Sequence, residues 1–77
     1  MTVAQQVMRI IADVAGLDVA EITLQTRFAS LNIEDSWDAL TAVMRLEEHF
    51  GITIADQDAE GFFTVADLVA YIESENS

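Results

Sequence analysis

The chain has 77 residues, of which 14 are acidic, three are arginine and none is lysine, giving a formal charge of −11. It contains no cysteine and no proline, and 52% of its residues are hydrophobic. Such a length makes a single domain over residues 1–77, near the lower limit for a self-sufficient core. The missing cysteine excludes a disulfide-stapled or Cys-ligated zinc mini-protein. The negative field excludes nucleic acid and anionic lipid as natural partners, and the apolar fraction is too high for a disordered acidic tail. With no basic leader and no apolar run of bilayer length, the expectation is a cytosolic protein that does not insert in membranes.

The charge is uneven. Residues 1–33 carry Asp13, Asp18 and Glu21 against Arg9 and Arg27, whereas residues 34–77 carry eleven acids against Arg45 alone. No linker, repeat or low-complexity segment separates the halves.

In chain order, Val3, Val7, Ile10, Ile11 and Val14 recur at helical spacing and predict a first helix over about 3–15. Thr2 and Gln5 fit a capping box, and Gly16 fits a helix stop. Residues 17–34 read as a long loop, with one helical turn at Asp18–Glu21. Its apolar members (Leu17, Val19, Ile22, Leu24, Phe28, Leu31) imply that it packs across the core, since a structureless loop of this length is uncommon in a small domain.

A second helix is expected from Asp35 to near Phe50, with Asp35 and Asp38 at capping positions. Ala39, Val43, Leu46 and Phe50 form its stripe, broadened by Leu40 and Met44, and Gly51 ends it. Ile52-Thr53-Ile54 predicts a short extended piece, and Asp56 to Gly61 a helical turn. Thr64 with Asp67 caps a last helix whose stripe is Val65, Leu68, Val69 and Ile72, fraying from Glu73. The fold class is therefore all-α: a small bundle of three main helices plus a short one, with a long loop between the first two.

Catalytic signals are weak, and no enzymatic role is assigned. The single histidine, His49, lies off the apolar stripe, and no nucleophile elbow exists. Asp56, Asp58, Glu60 and Asp67, with Gly61, approximate an EF-hand calcium loop. Against that, Asp replaces Glu at the last ligand position and Gly51–Ala55 interrupts the leading helix. A solvated turn followed by a helix cap is favoured there, and no metal ligand is assigned.

The sharpest feature is Glu34-Asp35-Ser36-Trp37-Asp38, a serine on the first turn of a helix between acids, with a tryptophan outside the apolar stripe. The segment Asp35-Ser36-Trp37-Asp38 through Leu46-Glu47-Glu48-His49-Phe50-Gly51-Ile52 resembles the core of the acyl carrier protein family. There, Asp-Ser-Leu opens a helix that ends in Leu-Glu-Glu-x-Phe. The spacing from Ser36 to Phe50 matches without a gap. The amphipathic first helix, Phe28 in the long loop, Ile54 and Asp56, and Thr64-Val65-x-Asp67-Leu68 extend the resemblance over nearly the whole chain.

The resemblance implies a 4′-phosphopantetheine arm on Ser36, added by a phosphopantetheinyl transferase, that holds an acyl or aminoacyl group as a thioester. A chain without a thiol must import one for such chemistry. The resemblance further implies a monomer whose second helix docks on basic patches of acyl-loading and acyl-transfer enzymes. Glu34, Asp35, Asp38, Glu47, Glu48 and Asp56 would supply charge there, and Trp37, Met44 and Ile54 apolar contact. Glu47 and Glu48 lie near a helix C-terminus, where the dipole opposes each by about 0.3–1 kcal/mol.

The chain departs from the family pattern at Trp37 (usually leucine), at Leu31–Ser36 (one residue longer, without glycine), at Thr41 (often an acid) and at Arg45. These departures fit a specialised carrier as well as one for fatty acid synthesis. A second register, aligning Trp37-Asp38-Ala39-Leu40 with Trp-Asp-Ser-Leu, would remove the attachment serine and requires a three-residue deletion. An unmodified helical adaptor is a further alternative.

Overall fold

The computed structural model describes residues 2–31 and 36–76; for Ser36, Trp37 and Asn76 it describes the backbone alone. Helix α1 spans Val3–Ala15, α2 Ser36–Phe50, α3 Asp56–Ala59 and α4 Val65–Asn76, with 3₁₀ turns at Val19–Glu21 and Phe28–Leu31. The all-α architecture expected from periodicity is the one observed.

Local chemistry explains the ends of α1. The Gln5 amide donates to the Thr2 hydroxyl at 3.1 Å, and the Thr2 amide donates to the Gln5 side chain at 3.0 Å, so two free donors are satisfied reciprocally. Gly16 ends the helix at φ 73° and Gly51 follows α2 at φ 66°, conformations that a side chain disfavours.

Helix α1 packs against both α2 and α4. The core is built from Val7 and Ile11 of α1, Leu46 of α2 and Val65, Leu68, Val69 and Ile72 of α4, all at most 6% exposed. Every residue of the predicted α4 stripe is buried. Two expectations about apolar residues are corrected. Leu40 and Met44 are half exposed, because Ala42 and Leu46 face the core and a helical rise of 3.6 residues per turn carries Leu40 and Met44 round to the outer side. Among the described residues of the long loop only Ile22 is buried, with Phe28 and Leu31 packed against the core, while Leu17, Val19 and Leu24 are exposed.

The loop is ordered by the start of α4. The Val65 and Ala66 amides donate to the carbonyls of Thr26 (3.0 Å) and Leu24 (2.9 Å), and the Phe28 amide donates to the Phe63 carbonyl (3.0 Å). The loop thereby accepts hydrogen bonds from helix-start amides that have no partner inside their own helix. A second set is taken by Asp67, whose carboxylate accepts from Phe63 (3.1 Å) and Thr64 (3.2 Å), while its own amide donates to the Thr64 hydroxyl (3.3 Å). Helix α4 continues to Asn76 instead of fraying at Glu73, because neither glycine nor proline interrupts it. Among the described residues no helix is long and apolar enough to cross a membrane.

Two expectations follow. Ile72→Ala removes a fully buried side chain and should cost about 2–5 kcal/mol in urea denaturation, with the slope of the transition unchanged. The two amide donors at Phe63 and Thr64 hold the Asp67 carboxyl below its ordinary value of 3.8. Its stabilisation is therefore complete above the unfolded carboxylate value and lost as pH falls through the lower folded one. Asp67→Asn should flatten that acidic limb of a stability–pH curve, and an unaltered limb would contradict this role.

Candidate functional site

Ser36 lies in the first described turn of α2, the helix expected from Asp35 to near Phe50. Glu34 and Asp35 lie outside the described residues, as do the side chains of Ser36 and Trp37. Asp38 is half-buried in the first turn. Further along, Leu40, Met44 and Glu48 lie on one outward face of α2, with Leu40 52% and Met44 51% exposed. Leu40 belongs to this face by geometry, although its periodicity alone assigns it to the core. Arg45, the one cation of α2, forms an ion pair with Asp13 of α1. The positive charge on this helix thus has an acid beside it, and the pair adds at most about 1 kcal/mol of stability at this exposure.

The two glutamates near the end of α2 do different jobs. Glu48 is exposed. Glu47 is half-buried, and its carboxylate accepts a hydrogen bond from the Ile54 amide at 2.7 Å. Its carbonyl accepts from the amides of Gly51 (2.9 Å) and Ile52 (3.2 Å), so Glu47 folds the chain as it leaves the helix. The expectation that Ile54 offers an apolar docking contact is corrected: Ile54 is 5% exposed and belongs to the core. The segment 52–54 is irregular, because the Ile54 amide is taken by a side chain and not by a neighbouring strand. Asp56 is exposed at the first residue of α3.

The EF-hand alternative is also corrected. Asp56 and Asp58 sit within a helical turn, Asp58 accepts from the Tyr71 hydroxyl at 3.2 Å, and Asp67 caps α4. Partial burial and the Asp58 carboxylate push the Tyr71 hydroxyl up to about 12, so it stays a donor at neutral pH. No cluster of three or more His, Asp or Glu side chains converges among the described residues. His49 is exposed, within 2.6 Å of the Gln6 side chain, and places its ring edge against Phe50.

An apolar cavity of about 220 Å³ opens among α1, α2 and the α3 region. Its walls include Ile11, Phe28, Ala39, Leu46, Ala59 and Phe62. Ala39 lies one turn beyond Ser36, so the cavity begins beside the start of α2. Sequence reading missed it. The available signal was the small residues Ala39, Ala42 and Ala59, which leave space where larger side chains would close a core.

The model of the phosphopantetheine attachment site family matches residues 5–72. The chain is 38% identical over 73 residues to an acyl carrier protein of Solidesulfovibrio magneticus, covering 95% of this chain and 94% of that protein. It is 46% identical over 68 residues to an acyl carrier protein of Exiguobacterium sp., covering 88% and 86% respectively.

The geometry separates the two glutamates experimentally. Glu47→Ala removes the acceptor of the Ile54 amide and should lower stability by about 1 kcal/mol. Glu48→Ala should leave stability unchanged in the same thermal or urea measurement; equal effects would refute the division.

Proposed function

This chain belongs to the acyl carrier protein family, and on that premise we propose that Ser36 bears its arm and that α2 presents the arm to partner enzymes. Members of the family are carriers and not catalysts. The chain therefore carries a covalent 4′-phosphopantetheine group, whose thiol supplies the thioester chemistry, and its partners are a phosphopantetheinyl transferase and acyl-handling enzymes.

The observation that supports Ser36 is its place in the first described turn of α2, three residues before Ala39 of the cavity wall. A helix start keeps free amides and a positive dipole end near the modified oxygen, where the phosphodiester anion is stabilised. The donor chemistry fits: a serine hydroxyl forms the ester, and the transferase provides the base. In that reaction the Ser36 oxygen attacks the phosphorus next to pantetheine in coenzyme A. The new P–O bond forms, the P–O bond within the diphosphate linkage of coenzyme A breaks, adenosine 3′,5′-bisphosphate leaves, and the serine proton passes to the transferase. The alternative register would replace the nucleophile by Ala39, which has no oxygen and lines the cavity wall.

The cargo is an acyl or aminoacyl group in thioester linkage. The cavity supports an apolar cargo end, since it exceeds the roughly 150 Å³ apolar cavity that admits benzene in another protein. Docking involves the outer face of α2, where Glu48 offers charge to basic partner surfaces and Leu40 and Met44 apolar contact, with Glu34, Asp35, Trp37, Asp38 and Asp56 as further candidate contacts. Charge-steered encounters of this kind form quickly and release readily, as a shuttle requires.

Incubation with coenzyme A and a phosphopantetheinyl transferase should add one arm to the intact mass. Ser36→Ala should abolish the gain while leaving the circular dichroism spectrum unchanged. Modification of the Ser36→Ala protein would overturn the assignment.

A further inference from the structure

Phe63 is the most exposed large apolar side chain of the described residues, 70% open to water, in the turn between α3 and α4. Its neighbour Phe62 turns inward and lines the cavity. The exposure of Phe63 is not the looseness of a free turn. Its amide donates to the Asp67 carboxylate at 3.1 Å and its carbonyl accepts from the Phe28 amide at 3.0 Å. Both backbone groups are held, which fixes the point from which the ring projects into solvent. An exposed aromatic side chain on a fixed backbone is the residue type that anchors interfaces, because it offers a large apolar area on only two torsions.

Its position identifies what covers it. Phe28, bonded to Phe63 through the backbone, lines the same cavity as Ala39 and Phe62, and Ala39 is one helical turn beyond Ser36. Phe63 therefore adjoins the 3₁₀ turn at Phe28–Leu31, the last described element before α2 and its Ser36. Acyl-handling enzymes dock on α2 but act at the far end of a flexible arm, whereas the transferase must bring its catalytic groups to the Ser36 oxygen itself and so presses its active-site rim on the surrounding surface. A standard footprint of about 800 Å² per partner is roughly one sixth of the 4901 Å² surface of this protein. On a molecule measuring 28 × 27 × 20 Å, such a footprint centred on Ser36 extends over the elements adjoining the first turn of α2.

We propose that Phe63 is an anchor for the phosphopantetheinyl transferase, inserting into an apolar recess of that enzyme beside its active site while the acids of α2 meet basic residues. The proposal rests on the assignment of the arm to Ser36. Phe63 takes no part in the transfer; it is a docking residue that lowers the concentration of carrier needed for modification.

The test is the initial rate of arm addition to the full apo chain, followed by intact mass with coenzyme A and the transferase at varied carrier concentration. Phe63→Ser should raise KM for the carrier by about five- to tenfold, as loss of an apolar anchor does, with kcat retained. Its thermal midpoint should match that of the unsubstituted chain, since the ring is in water. Phe63→Leu keeps an apolar side chain and should restore most of the loss. A KM for Phe63→Ser within about twofold of the starting value, or an equal rise for Phe63→Leu and Phe63→Ser, overturns the anchor. Absence of any mass gain by the unsubstituted chain overturns the Ser36 assignment and the anchor with it, a result distinct from modification that proceeds with an unchanged KM.

Discussion

The pairing of the long loop with the first turn of α4 is the constraint on which the rest of the molecule depends. A helix start leaves amides without partners, and a loop crossing a small core leaves carbonyls without partners. Here each solves the other's problem: Leu24 and Thr26 accept from Ala66 and Val65, and Phe28 donates to Phe63. Asp67 completes the set from inside the helix. The pairing fixes which loop residues reach the core. Ile22 and Phe28 turn inward, Leu24 turns out, and the Phe28 ring becomes a wall of the cavity. It also brings Phe62 and Phe63 to opposite sides of one backbone segment, one lining the interior and one facing solvent.

Helix α2 divides its work by face. Its inner side offers Leu46 and Ala42 to the core and Ala39 to the cavity. Its C-terminal end uses Glu47 to close the following turn through the Ile54 amide. Its outer side leaves Leu40, Met44 and Glu48 to solvent. Near a helix C-terminus the dipole penalises both glutamates. For Glu47 the hydrogen bond offsets that penalty, so its presence has a structural explanation. Among the described residues Glu48 is exposed and shows no such hydrogen bond, which is consistent with the proposed docking role. Arg45, which by sequence looks like an interruption of an acidic surface, sits beside Asp13 and joins α2 to α1.

Features that depend on neighbouring residues were legible in the sequence. The Thr2–Gln5 capping box, the stop at Gly16, the Asp18–Glu21 turn and the Thr64–Asp67 cap are all set by offsets of two to four residues, and each stands in the structure. The α4 stripe was legible because four β-branched or leucine side chains at helical spacing have one face to bury. The second helix was legible for the same local reason, and its described part runs from Ser36 to the expected end at Phe50. What the sequence left ambiguous is set by distant partners. Whether Leu40 or Ile54 is buried depends on which side α1 and α4 cover. The role of Glu47 depends on an amide seven residues away after a turn. The acidic run from Asp56 to Asp67 carries the spacing of a calcium loop, but Tyr71 and the α4 cap occupy two of those carboxylates. Offsets in a sequence cannot reveal that competition.

The cavity brings stability and function into opposition. A domain of this size has a small core and a stability of only several kcal/mol. Unfilled apolar space forfeits dispersion contacts that a larger side chain at Ala39, Ala42 or Ala59 would regain. Filling it would follow the usual route to a more stable protein. Three small residues contributed by two helices instead hold it open, one of them a helical turn beyond Ser36. The bundle meets the cost by saturating its backbone bonds at the loop and the α4 start, and by burying the α4 stripe completely. A carrier gains from this arrangement, because an apolar cargo end that enters the cavity regains the lost contacts. On the proposed function, the energetic deficit of the empty bundle would become affinity for the apolar end of its cargo.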